Sequence, residues 1–143
     1  MRIITLLLLC SLMAFAADPT DRSAVHSAAK DYIDALYEVR PDLIERSVHP
    51  NLSKRGFYRN EQGVYQEGVM TYQQLVNLAG RWNKDGKRDL SKSPREVVVT
   101  EVLDQTATAK VIADWGIDYM QLGKFNGQWK IVNILWQSHP PKK

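Results

Sequence analysis

The sequence predicts an α+β domain, with N-terminal helices packed on a curved antiparallel sheet of four or more strands. Three observations carry that prediction. Apolar residues recur at three- and four-residue steps in separate segments between Val25 and Trp82, which is the helical period. From Arg95 onward the period falls to two, over four segments rich in β-branched and aromatic side chains. Between the last two of these stands Asn126-Gly127, a pair that tolerates the positive φ values of a type I′ hairpin turn. Helices first and an antiparallel meander after them is the order of a sheet covered by helices on one face.

Residues 1–16 read as a cleavable export signal. Arg2 supplies the positive end, residues 3–15 are apolar except for Thr5 and Ser11, and Ala14-Phe15-Ala16 is a small-x-small cleavage site. The segment is shorter than the about 20 apolar residues that span a bilayer, and Asp18, Asp21 and Arg22 end it. The expectation is an exported protein, periplasmic or secreted, that leaves the membrane after cleavage. Cys10 is the only cysteine and departs with the signal; Leu9 precedes it where a lipoprotein signal has a small residue. Removing sixteen of the 143 residues leaves 127 with no thiol, so the core alone must hold the fold. Residues 17–137 form the expected domain and 138–143 a tail.

In the first helix Val25, Ala29, Tyr32, Leu36 and Val39 form the apolar stripe, with Lys30, Asp31, Asp34 and Glu38 opposite. Arg40-Pro41 breaks it, because proline disfavours helical geometry in the residue before it. Pro41 can open a second short helix through Leu43, Ile44 and Val48, which His49-Pro50 ends. Residues 51–70 read as irregular or weakly extended, punctuated by Gly56, Gly63 and Gly68. Thr71 and Gln74 have the spacing of a capping box, and Leu75, Leu78, Ala79 and Trp82 give the following helix one apolar face. A polar loop over 83–94 leads to strands at 95–103, 107–115, 117–125 and 128–136.

Formal charge is +3, and +2 once Arg2 is removed, which is too mild for a nucleic-acid binder. Arg81, Lys84, Lys87, Arg88, Lys92 and Arg95 cluster, but Asp85 and Asp89 interrupt them and no helical face collects them, so they read as a solvated loop. Helices cover only one sheet face. With Trp115, Trp129 and Trp136 on the strands a bare second face is disfavoured, and a homodimer is expected.

Several residues are candidates for chemistry. His49 is the one residue type poised near neutral pH and could act as a general base; the competing reading is a helix-terminal histidine favoured by the helix dipole. Lys54 and Arg55 could pair with an anionic ligand or with Asp118. Tyr32 falls on an apolar helix face and needs a hydroxyl partner if buried. Asp118 alternates with Met120 and Leu122, so a carboxyl group is expected among apolar neighbours, where it must be paired, hydrogen-bonded or protonated. Asp114 raises the same question beside Ile112, and Trp82, Trp115 and Trp136 could stack on a planar ligand or fill the core. No metal or cofactor is expected. His26, His49 and His139 are far apart, and there is neither a Gly-rich phosphate loop nor a serine elbow.

Two stretches carry a family resemblance: His49-Pro50-Asn51-Leu52-Ser53-Lys54-Arg55, and Asp118-Tyr119-Met120-Gln121-Leu122-Gly123-Lys124-Phe125-Asn126-Gly127-Gln128-Trp129-Lys130-Ile131-Val132-Asn133. With the order of elements, they resemble the nuclear-transport-factor-2-like superfamily, and within it the putative lumazine-binding group. The resemblance implies a conical fold around a pocket for a small molecule. The superfamily also holds isomerases, dehydratases and cyclases, so the fold alone does not choose a function. Ketosteroid-isomerase-like chemistry needs a general base with a tyrosine and a protonated carboxylic acid in an apolar pocket. Tyr32 and Asp118 match the last two, but residues 49–55 contain no Asp or Glu to match the base. Three functions follow: an exported binder of a small molecule, an isomerase- or dehydratase-type enzyme using His49, Tyr32 and Asp118, or an interaction module using the exposed sheet face.

Overall fold

A computed structural model describes residues 18–141; the expected export signal and the last two tail residues lie outside them. Three helices, α1 (Pro19–Tyr37), α2 (Pro41–Ser47) and α3 (Tyr72–Ala79), accompany six strands. The strands are β1 (Val48–Arg59), β2 (Tyr65–Met70), β3 (Glu96–Val102), β4 (Thr106–Ala113), β5 (Gly116–Phe125) and β6 (Gln128–Gln137), in the spatial order β2-β1-β6-β5-β4-β3.

Local chemistry sets the helix ends. Asp18 accepts from the Thr20 N–H at 2.9 Å and Pro19 occupies the first turn of α1, where its missing N–H costs nothing. The helix stops at Tyr37, short of the expected Val39, because Val39 turns into the left-handed region at φ 55°. The Thr71–Gln74 capping box closes in both directions, at 3.2 and 2.8 Å. Asn126 and Gly127 take φ values of 49° and 78°, the turn that their sequence predicts between β5 and β6.

The expected antiparallel meander is present as β3 to β6. Of the two readings of residues 51–70, irregular or weakly extended, the extended one holds: apart from the turn at 60–64 they belong to β1 and β2, an antiparallel hairpin whose first strand lies parallel to β6, so the six-stranded sheet is mixed. Of the three glycines that suggest punctuation, Gly63 does mark the turn between β1 and β2, at φ 78°, while Gly56 and Gly68 are strand residues that make room. Gly68, Gly56, Trp136, Asp118, Val111 and Val97 lie in one cross-strand row, and the Trp136 side chain lies against Gly56 and Gly68. Glycine inside a strand often marks such a close approach.

α1 packs across β3, β4 and β6, and α3 packs on β1. Between helices and sheet Val25, Ile33, Ile44, Leu75, Ile131 and Ile134 are completely buried. Each such side chain contributes about 1.5–3 kcal/mol by leaving water. The opposite sheet face is open. Its central row runs Val98, Lys110, Tyr119, Leu135, Arg55, Val69, and four of these are large hydrophobics exposed to solvent. The tryptophans expected to mark that face are elsewhere: Trp129 is buried and donates to Asp21 at 2.9 Å, while Trp115 and Trp136 pack against the core. No helix among the described residues is long and apolar enough to cross a membrane.

Candidate functional site

The polar centre of the core is built across three elements. Lys54 on β1 and Asp118 on β5 flank β6 diagonally, and the lysine stem crosses between them on the helix side of the sheet. Tyr32 comes down from α1. Lys54 Nζ donates to Asp118 Oδ1 at 3.1 Å and to the Tyr32 hydroxyl at 2.9 Å, and that hydroxyl donates to the same Oδ1 at 3.1 Å. Trp115 Nε1 donates to Asp118 Oδ2 at 2.6 Å, so both carboxylate oxygens are engaged. Lys54 is 5 % exposed, Tyr32 1 % and Asp118 0 %. The ammonium also lies 5.2 Å from the Trp136 ring centroid and 5.5 Å from that of Tyr32, a cation–π setting.

Taking two charges out of water costs several kcal/mol each, and their attraction offsets that only with good geometry and further hydrogen bonds. This network supplies both. Burial first, and the adjoining Asp118 second, push the Tyr32 hydroxyl well above its ordinary 10.0, so it stays a donor at neutral pH. A tyrosine whose folded value is raised contributes stability that is complete below the unfolded value and is lost as pH rises toward the folded one. Tyr32→Phe is therefore expected to lessen the fall in urea midpoint between roughly pH 9 and 11. An alkaline slope equal to that of wild type would count against Tyr32 as its source.

A second layer of aromatic rings backs the network. Trp115 meets Tyr32 edge-on at 5.9 Å and Tyr37 at 5.7 Å, and Trp82 meets Trp115 at 5.4 Å. Tyr37 donates to the Pro94 carbonyl at 2.8 Å and accepts from the Asp114 N–H at 2.7 Å.

The structure sorts the sequence candidates. Tyr32, Lys54 and Asp118 come together, with Trp136 beside them and Trp82 one ring away through Trp115. His49 does not join them. It sits five residues before Lys54 on β1, packs on Phe125 with ring centroids 4.5 Å apart and planes tilted by 36°, and accepts from the Asn51 N–H at 3.1 Å. Phe125 ends β5 seven residues past Asp118, which places His49 roughly 20 Å away at the usual strand rise. Arg55 points to the open sheet face, as strand alternation requires of the residue after an inward Lys54. Asp114 is in the β4–β5 turn, accepts from Ser93 at 2.9 Å and lies 3.6 Å from Arg88. Trp115 is the member given least weight by the sequence, because its N–H reaches Asp118 only after the turn at Gly116. Among the described residues no group of three or more His, Cys, Asp or Glu is placed to hold a metal ion.

Comparison with known proteins matches this architecture. Three solved nuclear-transport-factor-2-like proteins of unknown function share the fold, each with a TM-score of 0.61. The protein from Silicibacter pomeroyi DSS-3 is 15% identical, over 82% of this chain and 94% of that one. The protein from Shewanella baltica OS155 is 13% identical over 88% and 99%, and that from Methylobacillus flagellatus KT is 17% identical over 87% and 96%. A 66-residue stretch is 35% identical to part of a voltage-gated delayed rectifier potassium channel of Homo sapiens, spanning 46% of this chain but only 6% of the channel. The family described as putative lumazine-binding matches residues 20–137, most of the chain, with the whole sheet and all three helices inside the match apart from the first residue of α1. This chain belongs to the putative lumazine-binding family and has the nuclear-transport-factor-2-like fold.

Proposed function

We propose that this protein is an exported small-molecule-binding module whose site is the Lys54–Asp118–Tyr32 network. The observation that carries the reading is the fully buried ion pair. Apolar side chains of similar volume would often hold the same space at no cost in stability, so the charges serve recognition. Trp115 and Trp136 stand half-buried between the network and the surface. A ligand displacing the Trp115 N–H from Asp118 would meet a carboxylate acceptor, an ammonium donor and two indoles, a set suited to a flat molecule with hydrogen-bonding edges. The enzyme alternative needs His49, Tyr32 and Asp118 around one ligand, and His49 lies with Phe125 at the other end of the sheet. Export rests on residues 1–16.

A thermal-shift screen against pteridines, flavins, steroids and aromatic acids tests the reading. A stabilising compound is expected, with its effect lost in Asp118→Asn. Retention of the full shift in that variant would move the site elsewhere.

The open sheet face favours a homodimer as the working form. Val98, Tyr119, Leu135 and Val69 present an exposed apolar row interrupted by Lys110 and Arg55. Light scattering at micromolar concentration is expected to give twice the chain mass, and Leu135→Arg to give the single mass. A wild-type monomer would remove this reading.

A further inference from the structure

The loop after α3 gathers on one side of the molecule cations that no helical face collects. Arg81, Lys84, Lys87 and Arg88 line one cleft of about 670 Å³ together with Trp82 and Asp85. The loop is held by its own bonds. Lys84 N–H donates to the Arg81 carbonyl at 3.3 Å and Gly86 N–H to that of Asn83 at 3.0 Å. The Asn83 side chain accepts from Arg88 N–H at 3.1 Å and donates to the Arg88 carbonyl at 3.4 Å. Trp82 anchors the wall by stacking on Tyr37 at 5.7 Å with the rings 8° from parallel, and the Arg88 guanidinium lies 4.6 Å from the Trp82 ring centroid.

What sets this cleft apart is four cations lining one concavity. Elsewhere Lys30, Arg40, Arg46 and Lys124 have carboxylate partners, while Arg55, Arg59, Lys110 and Lys130 stand apart from one another without any among the described residues. In the cleft Asp85 pairs with Lys87 at 2.8 Å, and Arg88 stands at 3.6 Å from Asp114, long for a charge-assisted bond. No carboxylate pairs with Arg81 or Lys84 among the described residues. Four cations against one lining carboxylate leave an excess that a group with two or three negative charges would balance. Arginine adds a planar fork of donors that matches phosphate oxygens. We propose that the loop over residues 81–88 is a phosphate-binding site, separate from the buried network, that takes a phosphate monoester or pyrophosphate group.

The group could be carried by a free compound or by a lipid headgroup, and one experiment with two arms separates them. The full chain is titrated with sodium pyrophosphate at low ionic strength while backbone amide resonances are followed. In parallel it is floated with phosphatidylcholine vesicles with and without phosphatidic acid. The expected result is saturable shifts centred on residues 81–88, weakened about tenfold in an Arg81→Gln/Lys84→Gln variant, which removes the two cations of the cleft that have no carboxylate partner among the described residues. Both side chains are exposed, so the variant keeps the fold. Extra flotation with phosphatidic acid that the variant loses assigns the lipid as a source; pyrophosphate binding without it assigns a free compound. The absence of both, an unchanged response in the variant, or binding of a polyglutamate peptide with none of pyrophosphate would overturn the proposal.

Discussion

Asp118→Ala is expected to lower the unfolding free energy by about 3–5 kcal/mol, the cost of removing one partner from a buried ion pair. The cause is what remains behind. Lys54 would be left at 5 % exposure without its counter-ion, with only the Tyr32 hydroxyl and two aromatic rings near it. Tyr32 would lose its acceptor, and Trp115 Nε1 would lose its bond of 2.6 Å. A single truncation thus leaves two donors without an acceptor and one cation without its counter-ion, in a fold whose total stability is on the order of 5–15 kcal/mol. Urea denaturation should show the midpoint falling at constant slope. Lys54→Met/Asp118→Leu removes both charges together, and should recover most of the loss while abolishing the ligand response proposed for the site. A loss below about 1 kcal/mol in the single variant would mean that the pair is solvated, as surface pairs are.

The same network shows how far the sequence could be read. Asp118 was legible because strand alternation put it on one face with Met120 and Leu122, and Tyr32 because helical spacing put it beside Ala29 and Leu36. Lys54 was legible only as one of two neighbouring cations. What separates it from Arg55 is that they lie on a strand, and Gly56 and Gly68 hid that strand by mimicking the loop punctuation that Gly63 does provide. Gly56 and Gly68 answer to Trp136, some 70–80 residues later in the chain, and local pattern cannot report a contact at that distance. The parallel pairing of β1 with β6 was invisible for the same reason, since the meander itself is wholly antiparallel. His49 illustrates the converse. Its residue type drew attention, but its position along β1 gives it Phe125 as a neighbour instead of Asp118. The basic loop needed the fold as well, because its cations share a cleft without sharing a periodicity.

Gly116→Ala should be the most damaging change of a single methyl group, costing about 3 kcal/mol or more from backbone strain and overpacking together. Gly116 has φ +147°, a conformation that side chains rarely adopt, and a Cβ there would collide with the Gln137 carbonyl and crowd Ser138. That obstacle is backbone. The Gln137 carbonyl belongs to the last residue of β6, paired with Ile117 across the sheet, and cannot swing aside as a flexible side chain would. Relief has to come from the β4–β5 turn, which carries Trp115 and Asp114. Moving that turn draws the Trp115 N–H from Asp118 and disturbs the contact between Trp115 and Tyr32. The strain therefore reaches the ion pair, two residues along β5. Gly86→Ala is the matched control, since nothing lies within 4 Å of a Cβ at that position although its φ is +64°. It carries the conformational penalty alone, about 1–2 kcal/mol. A midpoint loss for Gly116→Ala no larger than for Gly86→Ala would show that the β4–β5 turn yields freely and that Trp115 is not fixed by it.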